Sequence, residues 1–161
     1  WLYSWTVWRK DYQDMEKQNL IAGIDPGKRG AIAFLDLDTD EAFVVDMPKC
    51  EEDIIPMLKD VRFVAIEKQC LIPKRRGNYE ILVHYGTLLG ILKALRIPYE
   101  EIPAPTWQKV MLGNSKKTRK KSKERSLQKA RALFPYVDLA GKDGRSDALL
   151  IAEYARRLRY K

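Results

Sequence analysis

Residues 20–27 read Leu20-Ile21-Ala22-Gly23-Ile24-Asp25-Pro26-Gly27, a short apolar run that closes on an acid and a Pro-Gly turn. A brief apolar run bounded by turn formers predicts a buried strand over Leu20–Asp25, with Asp25 at its C-terminal end. Downstream, 31–37 and 42–47 are strand-like and are joined by the polar stretch Asp38-Thr39-Asp40-Glu41, which predicts a hairpin. The run Val61-Arg-Phe-Val-Ala-Ile-Glu67 predicts another strand, again ending on an acid, and 97–102 predicts a fifth. Helices are expected over 51–59, after Pro48, and over 78–96, where Ile81, Tyr85, Leu88, Leu92 and Leu95 recur at helical spacing. Three more are expected over 105–112, 123–134 and 145–160. A three-strand meander followed by alternating helices and strands specifies an α/β domain, a five-stranded mixed sheet flanked by helices. That domain runs over 20–161. Residues 1–19, which hold Trp1, Trp5 and Trp8, read as an N-terminal extension, and Met15 is a candidate native start, leaving 1–14 outside the functional argument.

The composition narrows the function. The chain has 161 residues, 45% of them apolar, enough for one domain with a sizeable core and too many for a mainly disordered chain. No apolar run approaches the roughly 18–20 residues that span a membrane, and no secretory signal opens the sequence. Cys50 and Cys70 form no CxxC pair and read as reduced thiols of an intracellular protein. A single histidine, His84, argues against a His/Cys zinc site, and its place within 78–96 suggests a structural role. Lys and Arg number 30 against 22 Asp and Glu, a net charge of +8. Between Asn114 and Arg131, nine basic residues (Lys116, Lys117, Arg119, Lys120, Lys121, Lys123, Arg125, Lys129, Arg131) face one acid, Glu124, so this segment alone carries the whole excess. Concentrated charge of this kind points to a polyanion, nucleic acid first, although a solvated charged loop would look the same by charge alone. Lys74, Arg75 and Arg76 sit in a second irregular stretch.

The acids suggest what happens to that polyanion. An acid ending a buried strand is costly unless it is paired or binds a cation. For Asp25 alone, before Pro-Gly, a turn-forming role accounts for it; two such strands, ending on Asp25 and Glu67, weaken that explanation. Asp143 and Asp147 stand four residues apart at the start of the last helix and share a face if the helix reaches back to Asp143. Asp143 or Ser146 could equally be an N-cap, and Asp147 suits the helix dipole. Yet Asp147 precedes the small apolar run Ala148-Leu149-Leu150-Ile151-Ala152, which turns it toward the sheet. Lys123 shares a helical face with Leu127, Ala130 and Phe134 and so is turned toward the protein. Acidic oxygen ligands, an inward lysine and a basic run together suggest metal-dependent cleavage of a phosphodiester by two Mg²⁺ ions.

Ile24-Asp25-Pro26-Gly27, Ala65-Ile66-Glu67 and Asp147-Ala148-Leu149, in that order, resemble the RuvC-type Holliday-junction resolvases, across roughly 20–157. The segment Asp143-Gly-Arg-Ser-Asp147-Ala-Leu-Leu is most similar to the branch holding phage RuvC-like enzymes and the plant chloroplast resolvase. The family also has a catalytic lysine about eleven residues before a Leu-Phe-Pro element, here Lys123 before Leu133-Phe134-Pro135. The resemblance implies an RNase H-like fold and a homodimer that nicks opposing strands of a four-way DNA junction symmetrically with Mg²⁺, Mn²⁺ substituting. It implies Asp25, Glu67, Asp143 and Asp147 as metal ligands. In bacterial RuvC the last two acids stand closer together, which makes Asp143 the position that departs. Bacterial RuvC also carries an aromatic wedge shortly after the Glu; here Lys68-Gln69-Cys70-Leu71 follows, leaving Leu71 or Tyr79 to wedge, or no wedge. Lys68, Leu71, Lys74, Arg75, Arg76, Tyr79, Lys116, Lys117, Arg119, Lys120 and Lys121 are the expected DNA contacts. A bacterial or phage-infected cytoplasm is the implied setting, with an organelle such as the chloroplast left open.

Other classes compete. Another RNase H-like nuclease would cut branched DNA or RNA–DNA hybrids, and a non-catalytic relative would bind junctions without cutting them. An actin-like nucleotide fold also opens on a strand with Asp and Gly, but needs a longer chain and a second phosphate loop. Trp107 reads as core rather than as a base-stacking residue. Gly86 and Gly90 make a small face suited to close helix packing, in a dimer interface or in the core.

Overall fold

The computed structural model describes residues 19–70, 78–113, 119–139 and 144–160. The five strands are β1 (Leu20–Asp25), β2 (Ala31–Asp36), β3 (Ala42–Asp46), β4 (Phe63–Glu67) and β5 (Tyr99–Ile102). They form one sheet in the order β3-β2-β1-β4-β5, with β1–β3 antiparallel and β4 and β5 parallel to β1. The helices are α1 (Ile54–Leu58), α2 (Asn78–Ala94), α3 (Ala104–Leu112), α4 (Arg119–Leu133) and α5 (Gly144–Arg159). This is the expected α/β architecture, a five-stranded mixed sheet flanked by helices.

Alternation along the central strands sorts their side chains into two cores. Ile21, Ala31, Ala33, Leu35, Phe63 and Ala65 meet α3, α4 and α5 on one face. Ala22, Ile24, Ile32, Phe34, Val64 and Ile66 meet α1 and α2 on the other. Because β1 and β2 are covered on both faces, they are apolar almost throughout, as buried central strands must be. Tyr85, Leu88 and Leu92 of α2 are buried at the spacing read from the sequence.

Local chemistry trimmed several boundaries. Residues 51–59 form a 3₁₀ turn over Glu51–Asp53 followed by the short α1, rather than one continuous helix. β5 begins at Tyr99, after Pro98, which lacks the amide a ladder needs. α4 starts at Arg119, four residues earlier than the apolar face at Lys123 indicated. Among the described residues, no helix is long and apolar enough to cross a membrane.

Candidate active site

The parallel register Ile24↔Ile66 makes Asp25 and Glu67 the next matched positions on neighbouring strands, at the same edge of the sheet. Side chains alternate along a strand, so both acids point to the face shared by Gly23 and Ala65, the face that α5 covers. The Lys68 amide donates to Ile102 O at 2.9 Å, which carries the β4–β5 ladder one residue past Glu67 and holds its backbone. After Asp25 the chain turns through Gly27, whose φ of +122° lies where side chains are rarely tolerated, and the Gly30 amide closes the turn on Gly27 O at 3.0 Å.

Two glycines let α5 down onto this edge. A Cβ on Gly23 would stand 2.9 Å from Ala152 Cα and closer still to Ala148 O and Ala152 N. A Cβ on Gly144 would stand 2.5 Å from Arg29 O and from Gly30 Cα. The start of α5 therefore lies against the turn that follows Asp25, and its next turn lies against β1 itself. Asp147, between these two contacts, is brought to the strand edge that carries Asp25 and Glu67, and its Oδ1 is shielded from solvent.

Glu67 is held at both oxygens. Trp107 Nε1 donates to Oε2 at 2.9 Å, and Gln69 Nε2 donates to Oε1 at 3.3 Å. Burial pushes the Glu67 carboxyl above its ordinary range, against the pull of the hydrogen bonds from Trp107 and Gln69, which favour the charged form. A cation beside it would reverse that penalty.

Arg145 ties the first turn of α5 to the sheet. Its Nε and Nη2 donate to Asp46 Oδ1 and Oδ2 of β3 at 2.7 and 3.2 Å, and Nη1 donates to Asp138 O at 3.1 Å. A bidentate pair of this kind fixes direction as well as distance. Sequence reasoning missed this role, although an arginine in the first turn opposes the helix dipole and so calls for an acidic partner. Trp107 is entirely buried in the core, as its sequence context indicates; its hold on Glu67 is not legible there, although a buried indole N–H needs an acceptor.

The remaining expected residues fall as follows. Lys123 is half-buried on α4, on the side where Ala130 and Phe134 are buried and Leu127 packs against the core. Lys68 is exposed directly after β4, and Tyr79 is 78% exposed at the start of α2. Arg119, Lys120 and Lys121 form the first turn of α4, with side chains outside the described part. Leu71, Lys74, Arg75, Arg76, Lys116, Lys117 and Asp143 lie outside the described residues. His84 Nδ1 lies 3.1 Å from Glu51 Oε1, joining α2 to the 3₁₀ turn, a structural role. Gly86 and Gly90 are exposed, and a Cβ on either would meet none of the described residues within 4 Å, so among these their face packs against no core.

Among the described residues, no three His, Cys, Asp or Glu side chains stand close enough together to hold a metal ion. The donor types nevertheless suit a hard divalent cation: carboxylates on matched ends of adjacent strands, that of Glu67 desolvated, and a third on the helix that packs against that edge.

No family model matches the chain, and no curated protein matches it. Solved structures do. Thermus thermophilus RuvC superposes with a TM-score of 0.59 at 16% identity, over 86% of this chain and 96% of that one. T. thermophilus RuvC in complex with its Holliday junction substrate gives 0.61, again at 16% identity, over 87% of this chain and 96% of that one. The fold is that of RuvC. At this identity the likeness covers nearly the whole RuvC chain while few side chains coincide, so the RuvC architecture is shared and the chemistry rests on the residues described above.

Proposed function

We propose that the chain is a metal-dependent endonuclease that resolves four-way DNA junctions by paired symmetric nicks. The observation that supports this reading is the register that sets Asp25 and Glu67 on matched strand ends, together with two glycine contacts that lay α5, which carries Asp147, against that edge. Likeness of the fold to RuvC, one solved structure of which is in complex with a Holliday junction, supports the choice of substrate.

Asp25, Glu67 and Asp147, joined by Asp143, are the residues that would hold two Mg²⁺ ions, with Mn²⁺ able to replace them. When bound, such ions supply an activated water and charge stabilisation at the leaving oxygen. The chain's own part is to aim and to bind. Trp107 and Gln69 orient the Glu67 carboxylate, and Arg145 holds the turn that carries Asp147. Lys123 stabilises charge on the scissile phosphate from the inner face of α4. Lys68, Tyr79 and the basic residues 74–76 and 116–121 grip the junction arms, a largely sequence-independent attraction to phosphates. Two symmetric nicks need two sites, and α2 offers the surface for a homodimer: Tyr79, Val83, Gly86 and Gly90 are exposed on one face of the helix.

A panel of a four-way junction, a flap and an RNA–DNA hybrid, each with and without Mg²⁺, tests the reading. Paired symmetric nicks confined to the junction and dependent on Mg²⁺ are expected. Cleavage of the hybrid instead would make the chain an RNase H-like nuclease of another kind, and binding without cleavage of any substrate would make it a junction-binding protein.

A further inference from the structure

Among the described residues, Trp107 is the largest fully buried side chain, with no exposed surface. It belongs to the core that includes Phe63, Ala65, Ile102 and Met111, packed between α3, α5 and the sheet. Pro103 caps α3 and Pro105 stands in its first turn, so the helix that carries the indole is rigid from its start. The indole N–H reaches Glu67 Oε2 at 2.9 Å across forty residues of sequence. Gln69, by contrast, is only half-buried, and its amide reaches Oε1 at the longer distance of 3.3 Å. The two oxygens of Glu67 are therefore held unequally: Oε2 by a donor locked in the core, Oε1 by one that can turn away. Each carboxylate oxygen accepts about two hydrogen bonds or ligand contacts, so neither donor blocks a cation.

We infer that Trp107 is the positioning residue of the metal site, fixing the plane of the Glu67 carboxylate before the cation arrives. This rests on the reading of Glu67 as a metal ligand. A carboxylate free to rotate loses that freedom when it binds; one already held by a buried donor does not, and the difference appears as metal affinity. Partners of this kind behind a metal ligand are typically worth about 10- to 100-fold in affinity or activity. The arrangement also makes Trp107 a reporter, since its N–H is bonded to the group whose charge the cation neutralises.

The chain has four tryptophans, so replacing Trp1, Trp5 and Trp8 by Phe leaves Trp107 as the sole indole. In that background, titration with Mg²⁺ alone is expected to change Trp107 emission, in step with heat measured by calorimetry, and Glu67→Gln is expected to abolish the change. In the otherwise native chain, Trp107 replaced by its benzothienyl isostere, which keeps the shape and removes the N–H, is expected to raise the half-saturating Mg²⁺ concentration about 10- to 100-fold. Junction cleavage at saturating Mg²⁺ should then return toward the native kcat, with junction affinity in chelator unchanged. Trp107→Phe should act in the same direction, and the isostere decides the matter if the Phe chain folds poorly. An isostere chain that melts normally and binds Mg²⁺ as the native chain does would overturn the inference while leaving the metal site standing. Emission that still responds to Mg²⁺ in Glu67→Gln would overturn it as well. A native chain that takes up no Mg²⁺ would bring down the metal reading, and the positioning role with it.

Discussion

Replacing Gly23 by alanine adds one methyl group at the contact that sets the height of α5 above the sheet. The new Cβ would stand 2.9 Å from Ala152 Cα, and nearer still to Ala148 O and Ala152 N. Carbon atoms in contact rest about 3.5–4.0 Å apart. All three neighbours are helix backbone, which no change of rotamer can move, so α5 must rise by roughly 1 Å. Overpacking of a core by this amount costs about 1–3 kcal/mol, which in a domain of this size lowers Tm by roughly 3–10 °C. The larger effect falls on chemistry. Asp147 rides on the displaced turn while Asp25 and Glu67 stay on the sheet, and a misplacement of about 1 Å in a reacting constellation costs on the order of 10²-fold in rate. Single-turnover cleavage of a labelled four-way junction in Mg²⁺, gel-shift affinity in chelator and a thermal melt measure the three quantities. The expected result is a rate loss near that magnitude with junction affinity preserved. A Gly23→Ala chain that folds and cleaves like the native one would refute the argument that this close approach sets the spacing of the acids.

Glu67→Gln should stabilise the metal-free protein at pH 7. The folded state raises the Glu67 pKa, so its contribution to stability is fully present below the ordinary carboxylate value of about 4.3 and is lost as pH rises through the folded value. The gap between variant and native chain in chelator should therefore close on acidification and shrink on adding Mg²⁺, as followed by thermal melts; a variant less stable at pH 7 would contradict it. Arg145→Met and Asp46→Asn should each cost about 2 kcal/mol in urea unfolding, as charged hydrogen bonds do. The double variant should cost little more than either alone, and full additivity would show the pair to be uncoupled. Gly86→Leu should leave the melt of the chain unchanged or raise it slightly, because none of the described residues stands within 4 Å of that position and leucine is the better helix former, yet weaken the proposed homodimer in light scattering. An unaltered dimer would move the interface off α2.

The parts of this protein that were legible in its sequence are those written by local pattern. The strands around Leu20–Asp25 and Phe63–Glu67 announce themselves as apolar runs, because central strands buried on both faces have no polar side to interrupt them. The acids at their ends were visible for the same reason: a charge closing such a run needs a purpose. The pairing of β1 with β4 is parallel and non-local, yet matching two strand ends on one edge required no finer knowledge than their type. What stayed hidden depends on contacts between distant residues. Arg145 meets Asp46 across 99 positions, and Trp107 meets Glu67 across 40; no periodicity encodes either. Gly23 looked like one more small residue in a strand, and only the crossing of α5 gives its missing side chain a meaning. For Gly86 and Gly90 the sequence left core and interface open, and among the described residues no core packs on them.

Carboxylates from two strands and a helix are proposed to form one metal-dependent nuclease site. Its most direct test is single-turnover cleavage of a four-way junction in Mg²⁺ by the native chain and by Asp25→Asn, Glu67→Gln and Asp147→Asn, with junction binding measured alongside. Symmetric Mg²⁺-dependent nicks by the native chain are expected, and for each variant loss of cleavage with binding largely kept. Native-level cleavage by any of the three, or cleavage by the native chain in excess chelator, would contradict it.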